Sequence, residues 1–171
     1  MTTTTFTDST APDLEAGFKE AMAHMCAPVS VITTMVGERP HGTTVSALMS
    51  LSVDPLLIAV SMATTSESLS AIKSAGEFGV NVLGADQRHV AVRFATKGGD
   101  KFAGMPWRRQ GALPRLDGSA IWLSCRLDSI LPGGDHEIFV GAVTEVETDT
   151  AAEPLTYHGR QFGTHLAHRG G

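Results

Sequence analysis

Positive charge is scarce and scattered in this 171-residue chain: 13 Lys and Arg stand against 18 Asp and Glu, for a formal net charge of −5. The densest basic spots, Arg108-Arg109 and Arg88/Arg93, are too sparse to form a face that follows a phosphate backbone, which argues against nucleic-acid binding. No apolar run approaches the roughly 20 residues of a membrane helix. The opening MTTTTFTDST has neither a basic start nor an apolar centre, so it does not read as a secretory signal. Only two cysteines are present, Cys26 and Cys125, far apart in sequence. That usage points to two reduced, mostly buried thiols in a cytoplasmic protein.

Familiar chemical motifs are missing as well. No GxGxxG follows a strand and no GxxxxGK[ST] occurs, so a nucleotide would not be held in a Rossmann or P-loop manner. There is no GxSxG elbow, and neither cysteine has a cationic neighbour that would lower its pKa. Asp8/Asp13 and Glu145/Glu147/Asp149 read as solvated faces rather than paired catalytic carboxylates. His24 with Cys26, and His165-x-x-His168, lack the further ligands a metal needs, so no metal site is expected.

What remains is a chain with 42 % hydrophobic and 18 % charged residues, enough apolar material for one real core. Residues 1–12 read as a disordered Thr-rich tail and 13–171 as a single domain. Thr10 can cap a first helix, with Pro12 in its first turn and Leu14, Phe18, Met22 and Met25 at helical spacing as a core stripe. Ala27-Pro28 should end that helix. Residues 29–36 alternate as a strand, 37–42 as a turn, and 41–62 as the returning partner, broken at Asp54-Pro55, with Pro55 starting the next strand. Residues 64–68 form a polar loop feeding a short helix that turns Leu69 and Ile72 inward. Residues 78–83 are a strand, and Asp86 caps a helix carrying Val90 and Phe94. Residues 96–104 are a glycine-containing loop, and 105–116 look irregular. Two long strands, 119–130 and 136–147, close the count at about six strands with two or three short helices. The expected fold class is mostly β with peripheral α-helices, arranged as an antiparallel barrel.

Four features carry the chemistry. The first is HGTTVSALMSLSVDPLLIAVSM, residues 41–62. Thr44, Ser46, Ser50 and Ser52 share a parity, so one continuous strand would line a single face with hydroxyls. Such a face binds a flat or phosphorylated ligand while offering no acid, base or nucleophile. The second is the loop at Thr65, Ser66 and Ser68, a seat for phosphate at a helix start or a plain N-cap. The third is TKGGDKFAG with Lys97 and Lys101, and the fourth is His136 after the Gly133-Gly134-Asp135 turn. Together they suit a protein that holds a redox cofactor and leaves the chemistry to it.

With APVSVITT at 27–34, FGVNVL at 78–83, FA…GGDKFAG at 94–104 and GGDHEIFVGAVTEVE at 133–147, the chain resembles the short-chain flavin reductases, the reductase components of two-component flavin-dependent monooxygenases. The resemblance runs from about Phe18 to Phe162. It implies a six-stranded antiparallel split β-barrel, a homodimer, and NAD(P)H:flavin oxidoreductase activity that supplies free reduced FAD or FMN to a partner monooxygenase. NADH is favoured over NADPH, because no arginine cluster awaits a 2′-phosphate. Carried onto this sequence, Ala27, Pro28 and Val29 would contact the flavin ring. Thr43, Thr44, Val45, Ser46, Ala47, Ser50, Leu51 and Ser52 would line the ring and ribityl chain. Met62, Thr65, Ser66 and Ser68 would approach the phosphate end, with Lys101 and Phe102 adding a cation and a stacking surface. His136 would meet the nicotinamide as the catalytic contact, with Tyr157, Arg160 and Phe162 helping to hold NAD(P)H. Here Ser46-Ala47 stands where many relatives carry Asn-Ser, and Leu56 follows Asp54-Pro55. The alternative of another class is a flavin- or haem-binding split-barrel protein without turnover.

Overall fold

The period-2 alternation of the long strands builds most of the molecule. The computed structural model describes residues 12–167; the expected Thr10 cap, the tail up to residue 11 and His168 lie outside them. The elements are α1 (Pro12–Ala23), β1 (Ala27–Pro28), β2 (Ser30–Val36), β3 (Arg39–Val45), β4 (Leu48–Val53), β5 (Leu56–Ala63), α2 (Glu67–Ala75), β6 (Glu77–Val82) and α3 (Arg88–Ala95). They continue with β7 (Trp107–Gln110), β8 (Leu113–Leu116), β9 (Ile121–Gly133), β10 (His136–Thr148), β11 (Leu155–His158) and β12 (Gln161–Thr164).

The fold is mostly β with three helices, as the sequence implies, but its main sheet has seven strands rather than six. Their order is β3-β2-β6-β9-β10-β5-β4, every neighbouring pair antiparallel. Strands β3 and β4 stand at the two ends, so the sheet as described is not a closed barrel. The chain breaks at Ser46-Ala47 between them, which is how one stretch of sequence supplies both ends.

The sheet is covered on both faces. Ile32, Val60, Ile72, Phe78, Cys125 and Phe139 meet in one core, which α2 helps close through Leu69 and Ile72. Val31, Leu83, Val90, Phe94, Phe102 and Leu116 meet in a second core under α3. Consecutive residues of β2 therefore face different cores, and five in a row are buried. The threonines of that run are bonded, as burial demands, while the buried Ser30 hydroxyl has no hydrogen-bond partner among the described residues. Thr33 Oγ1 donates to Pro114 O at 2.6 Å, and Thr34 Oγ1 to Glu77 O at 2.7 Å. Asn81 donates to Val31 O and Thr33 Oγ1 and accepts from the Leu116 amide.

Those bonds explain a departure from the sequence reading. The stretch 105–116 is not irregular: β7 and β8 pair as a hairpin, pinned by Asn81 and Thr33. Other boundaries shift. The turn after β2 occupies only Gly37 and Glu38, and β5 begins at Leu56, one residue past Pro55. Residue Gln87, not Asp86, caps α3. Its side chain accepts from the Gly84 amide and donates to Asp117 O. The α1 stripe is not core: Leu14, Phe18, Met22 and Met25 are 58, 62, 44 and 59 % exposed. Both thiols are free, but Cys26 is exposed while only Cys125 is buried.

Candidate active site: a two-ligand cleft

Several segments converge on one cleft of about 1650 Å³. A typical single-ligand pocket is roughly 300–1,000 Å³, so this one has room for two sizeable molecules. The β3 end and the break after it contribute Thr43, Thr44, Val45, Ser46 and Ala47, and the end of β5 contributes Met62. The loop into α2 adds Thr65 and Ser66, and the first turn of α2 adds Ser68. The loop after α3 contributes residues 96–103, including Lys101 and Phe102. His136 and Tyr157 complete the expected set, with Ala27 beside them.

The remaining expected residues lie elsewhere. Val29 is 2 % exposed, in the second core. Pro28, Ser50, Leu51, Ser52, Arg160 and Phe162 do not line the cleft. The parity argument for a single hydroxyl face fails on two counts. Besides the break at Ser46-Ala47, the β4–β5 register shifts between Ser50 and Ser52. The hydroxyl of Thr44 is also committed, donating to Ala91 O at 2.8 Å. Arg160 ion-pairs with Glu20, and Phe162 packs edge-on against Tyr157 with Arg88 over its ring.

Several lining residues were not anticipated: Phe18, Lys19 and Met22 of α1, Met25 just after it, and Arg39 and His41 of β3. The signal for the first group was the helical stripe itself, which marks an apolar face without saying what it faces.

Local chemistry fixes each part. The Ser66 residue caps α2 in extended geometry, yet its hydroxyl makes no capping bond, leaving an oxygen at a helix N-terminus within the cleft. The loop after α3 turns back through Gly98 and Gly99, with φ of +70° and +72°. Lys101 Nζ bonds Gly42 O at 3.1 Å and Phe94 O at 3.0 Å, holding the loop to the edge strand and the helix end. An ammonium has three donors, so one is left for a ligand, and burial pulls its pKa below the usual lysine value. Phe102 is buried, edge-on to Phe94 and Trp107, which makes it a prop for the wall.

At the far rim, Gly134, with φ +73°, and Asp135 turn β9 into β10 and place His136 as the first residue of β10. The amide and hydroxyl of Thr64 both donate to Asp135 O, tying this turn to the loop before α2. His136 Nδ1 lies 2.8 Å from Asp135 Oδ1. A carboxylate only accepts, so Nδ1 donates and Nε2 stays free. Hydrogen bonding to His136, and then its charge, hold the Asp135 carboxyl below the usual range.

His41 gives a pH prediction. Partial burial, then the Arg39 charge, lowers its pKa below the ordinary histidine value, while Glu67 opposes. A base whose folded pKa is lowered binds its proton more readily when unfolded, so stability rises with pH through that window. Wild-type protein is expected to lose stability as pH falls through and below the histidine range. In His41→Asn this part of the slope should vanish in urea midpoints taken between about pH 5 and 7.5. An unchanged slope would remove His41 as its source.

A mostly antiparallel sheet with a roomy cleft lined by hydroxyls, apolar side chains, Lys101, His41 and His136 defines a redox scaffold whose cofactors bring the reactivity. Comparison with known proteins gives the particular family. The chain belongs to the flavin reductase like domain family, whose profile matches residues 22–165. It is 40 % identical over 152 residues to an NADH:riboflavin 5′-phosphate oxidoreductase of Streptomyces pristinaespiralis, covering 86 % of each chain. It is 36 % identical to the reductase component of a 4-hydroxyphenylacetate 3-monooxygenase of Thermus thermophilus, covering 87 % of this chain and 95 % of that one. Among solved structures, it superposes on a Streptomyces globisporus NADH:FAD oxidoreductase in complex with NAD and FAD fragments. The TM-score is 0.86 at 26 % identity, over 92 % of this chain and 96 % of that one.

Proposed function

We propose that this protein is a cytoplasmic NADH-dependent flavin reductase that takes FAD or FMN as its second substrate and releases reduced flavin to a separate monooxygenase. The observation that carries this reading is the single cleft of about 1650 Å³ that brings Thr43, Ser46, Met62, Ser66, Lys101 and His136 together. When bound there, the dinucleotide supplies a hydride and the flavin accepts it.

The chain's own residues bind, orient and exclude water. Hydroxyls of Thr43 and Ser46 and the backbone around Ala47 offer hydrogen bonds to a polar ring edge. The free Ser66 hydroxyl and the α2 N-terminus favour a phosphate, with the third Lys101 donor beside them. His136 Nε2 is available to the nicotinamide carboxamide, with the ring oriented by Asp135. Met62, Phe18 and Met22 give apolar walls that keep stacked rings dry. Holding two rings in register supplies most of such a rate, and no general base is required.

The same reading takes the seven-stranded sheet as an opened split barrel that works as a homodimer. Met49, Leu51, Val53 and Leu56, on and beside the edge strand β4, are 56, 44, 84 and 53 % exposed, an apolar edge that a second copy would cover. NADH oxidation, followed by the loss of nicotinamide absorbance, is expected on adding either FAD or FMN to purified protein. Crossing both flavins with NADH and NADPH gives the preference for each. Absence of turnover in all four combinations would overturn the reductase reading.

A further inference from the structure

The hairpin of β11 and β12 contains a residue that its own turn disfavours. His158 pairs with Gln161, leaving a two-residue loop of Gly159 and Arg160 with φ of +55° and +62°. Two positive φ values make this a primed hairpin turn, which favours Gly, Asn or Asp at both places. Among the described residues, every other positive φ, at nine positions, belongs to a glycine. A side chain held in the left-handed region against local preference calls for an explanation outside the turn.

The explanation is visible in what the turn holds. Arg160 Nη2 donates to Glu20 Oε2 of α1 at 2.6 Å. The Gly159 amide donates to Ala23 O, at the end of α1, at 2.7 Å. The His24 and His158 rings meet edge-on at 5.7 Å. These contacts join α1 to the hairpin, and Phe18, Lys19 and Met22 of that helix, with Met25 just after it, line the cleft. Arg160 itself does not. The α1 stripe makes no core of its own, so little else fixes where the helix lies.

We propose that Arg160 is a positioning residue: through Glu20 it holds α1 as one wall of the cleft, on the nicotinamide side next to Tyr157, at the expense of turn geometry. This rests on the reductase reading only for its kinetic consequence; the docking itself can be read without substrate.

The test uses Arg160→Gly, Glu20→Gln, the double variant and the exchanged pair Glu20→Arg/Arg160→Glu. Arg160→Gly relieves the turn, so its melting temperature should not fall. Amide hydrogen exchange across residues 12–25 should nonetheless quicken in both single variants without any ligand. The KM for NADH should rise about two- to fivefold in each, the range of a partly exposed ion pair, with a smaller change in kcat. The double variant should be no worse than either single one, and the exchanged pair should recover part of the loss. A rise in Arg160→Gly but not in Glu20→Gln would overturn the proposal in favour of direct ligand contact. So would unchanged exchange and KM in both, or a rise confined to flavin. A wild-type protein without turnover defeats the reductase reading instead, and the exchange result still decides the docking.

Discussion

Replacing His136 by alanine is expected to raise the KM for NADH about tenfold and to change the KM for flavin far less. The reason is positional. His136 opens β10 after a two-residue turn, pairs with Gly133 on β9 and Ala63 on β5, and lines the cleft. Its ring is oriented by Asp135, so one nitrogen is used and the other is free. One hydrogen bond to a ligand is worth about 1–1.5 kcal/mol, hence a factor near ten. Steady-state kinetics with NADH varied at saturating flavin, and then the reverse, give the two constants. Asp135→Asn should have a smaller effect in the same direction, since it loosens the ring without removing it. A larger rise for flavin than for NADH would place His136 against the flavin instead.

How much of this site the sequence disclosed follows from the range of the interactions involved. The strands carrying Ile32, Val80, Cys125 and Phe139 alternate in sequence, and alternation is a local property of the chain. The hairpin of β7 and β8 was missed because WRRQ and LPRL do not alternate. What makes them strands is Thr33 bonding Pro114, 81 residues away, and Asn81 bonding Leu116, 35 residues away. The stripe on α1 is legible as a helical face, but a period does not say whether core, ligand or partner covers it. The hydroxyl stretch shows the same limit. Thr43 and Ser46 reach the cleft, while Ser50 and Ser52 leave it because the chain breaks and then bulges, and neither event has a local signature in ALMSLS. The lysine loop was legible as a cation near a ligand. That two of its three donors are spent on Gly42 and Phe94 follows only from the fold.

The largest effect on stability is expected from Phe139→Ala. Phe139 is fully buried on β10, cross-strand from Val60 on β5 and Ile130 on β9. Its ring meets Phe78 edge-on at 5.0 Å. The neighbourhood has no slack on that side: a Cβ on Gly141, two residues further along β10, would fall 2.4 Å from Phe78 Cζ. Phe78 is therefore confined by the sheet and cannot swing far to fill the space left by a missing ring. Truncating a buried phenylalanine costs about 3–5 kcal/mol, with the upper end reached where the cavity cannot collapse. Set against a total of roughly 5–15 kcal/mol for a domain, that is a large fraction of the protein's stability. The urea midpoint should fall with the slope unchanged, as for loss of core packing alone. Phe139 does not line the cleft, so the KM values of the variant, measured well below its melting temperature, should stay near those of the wild type. A melting temperature within a degree or two of wild type would mean that β5, β9 and β10 close over the gap. Altered KM values in a well-folded variant would instead show that the core behind the sheet sets the geometry of the cleft in front of it.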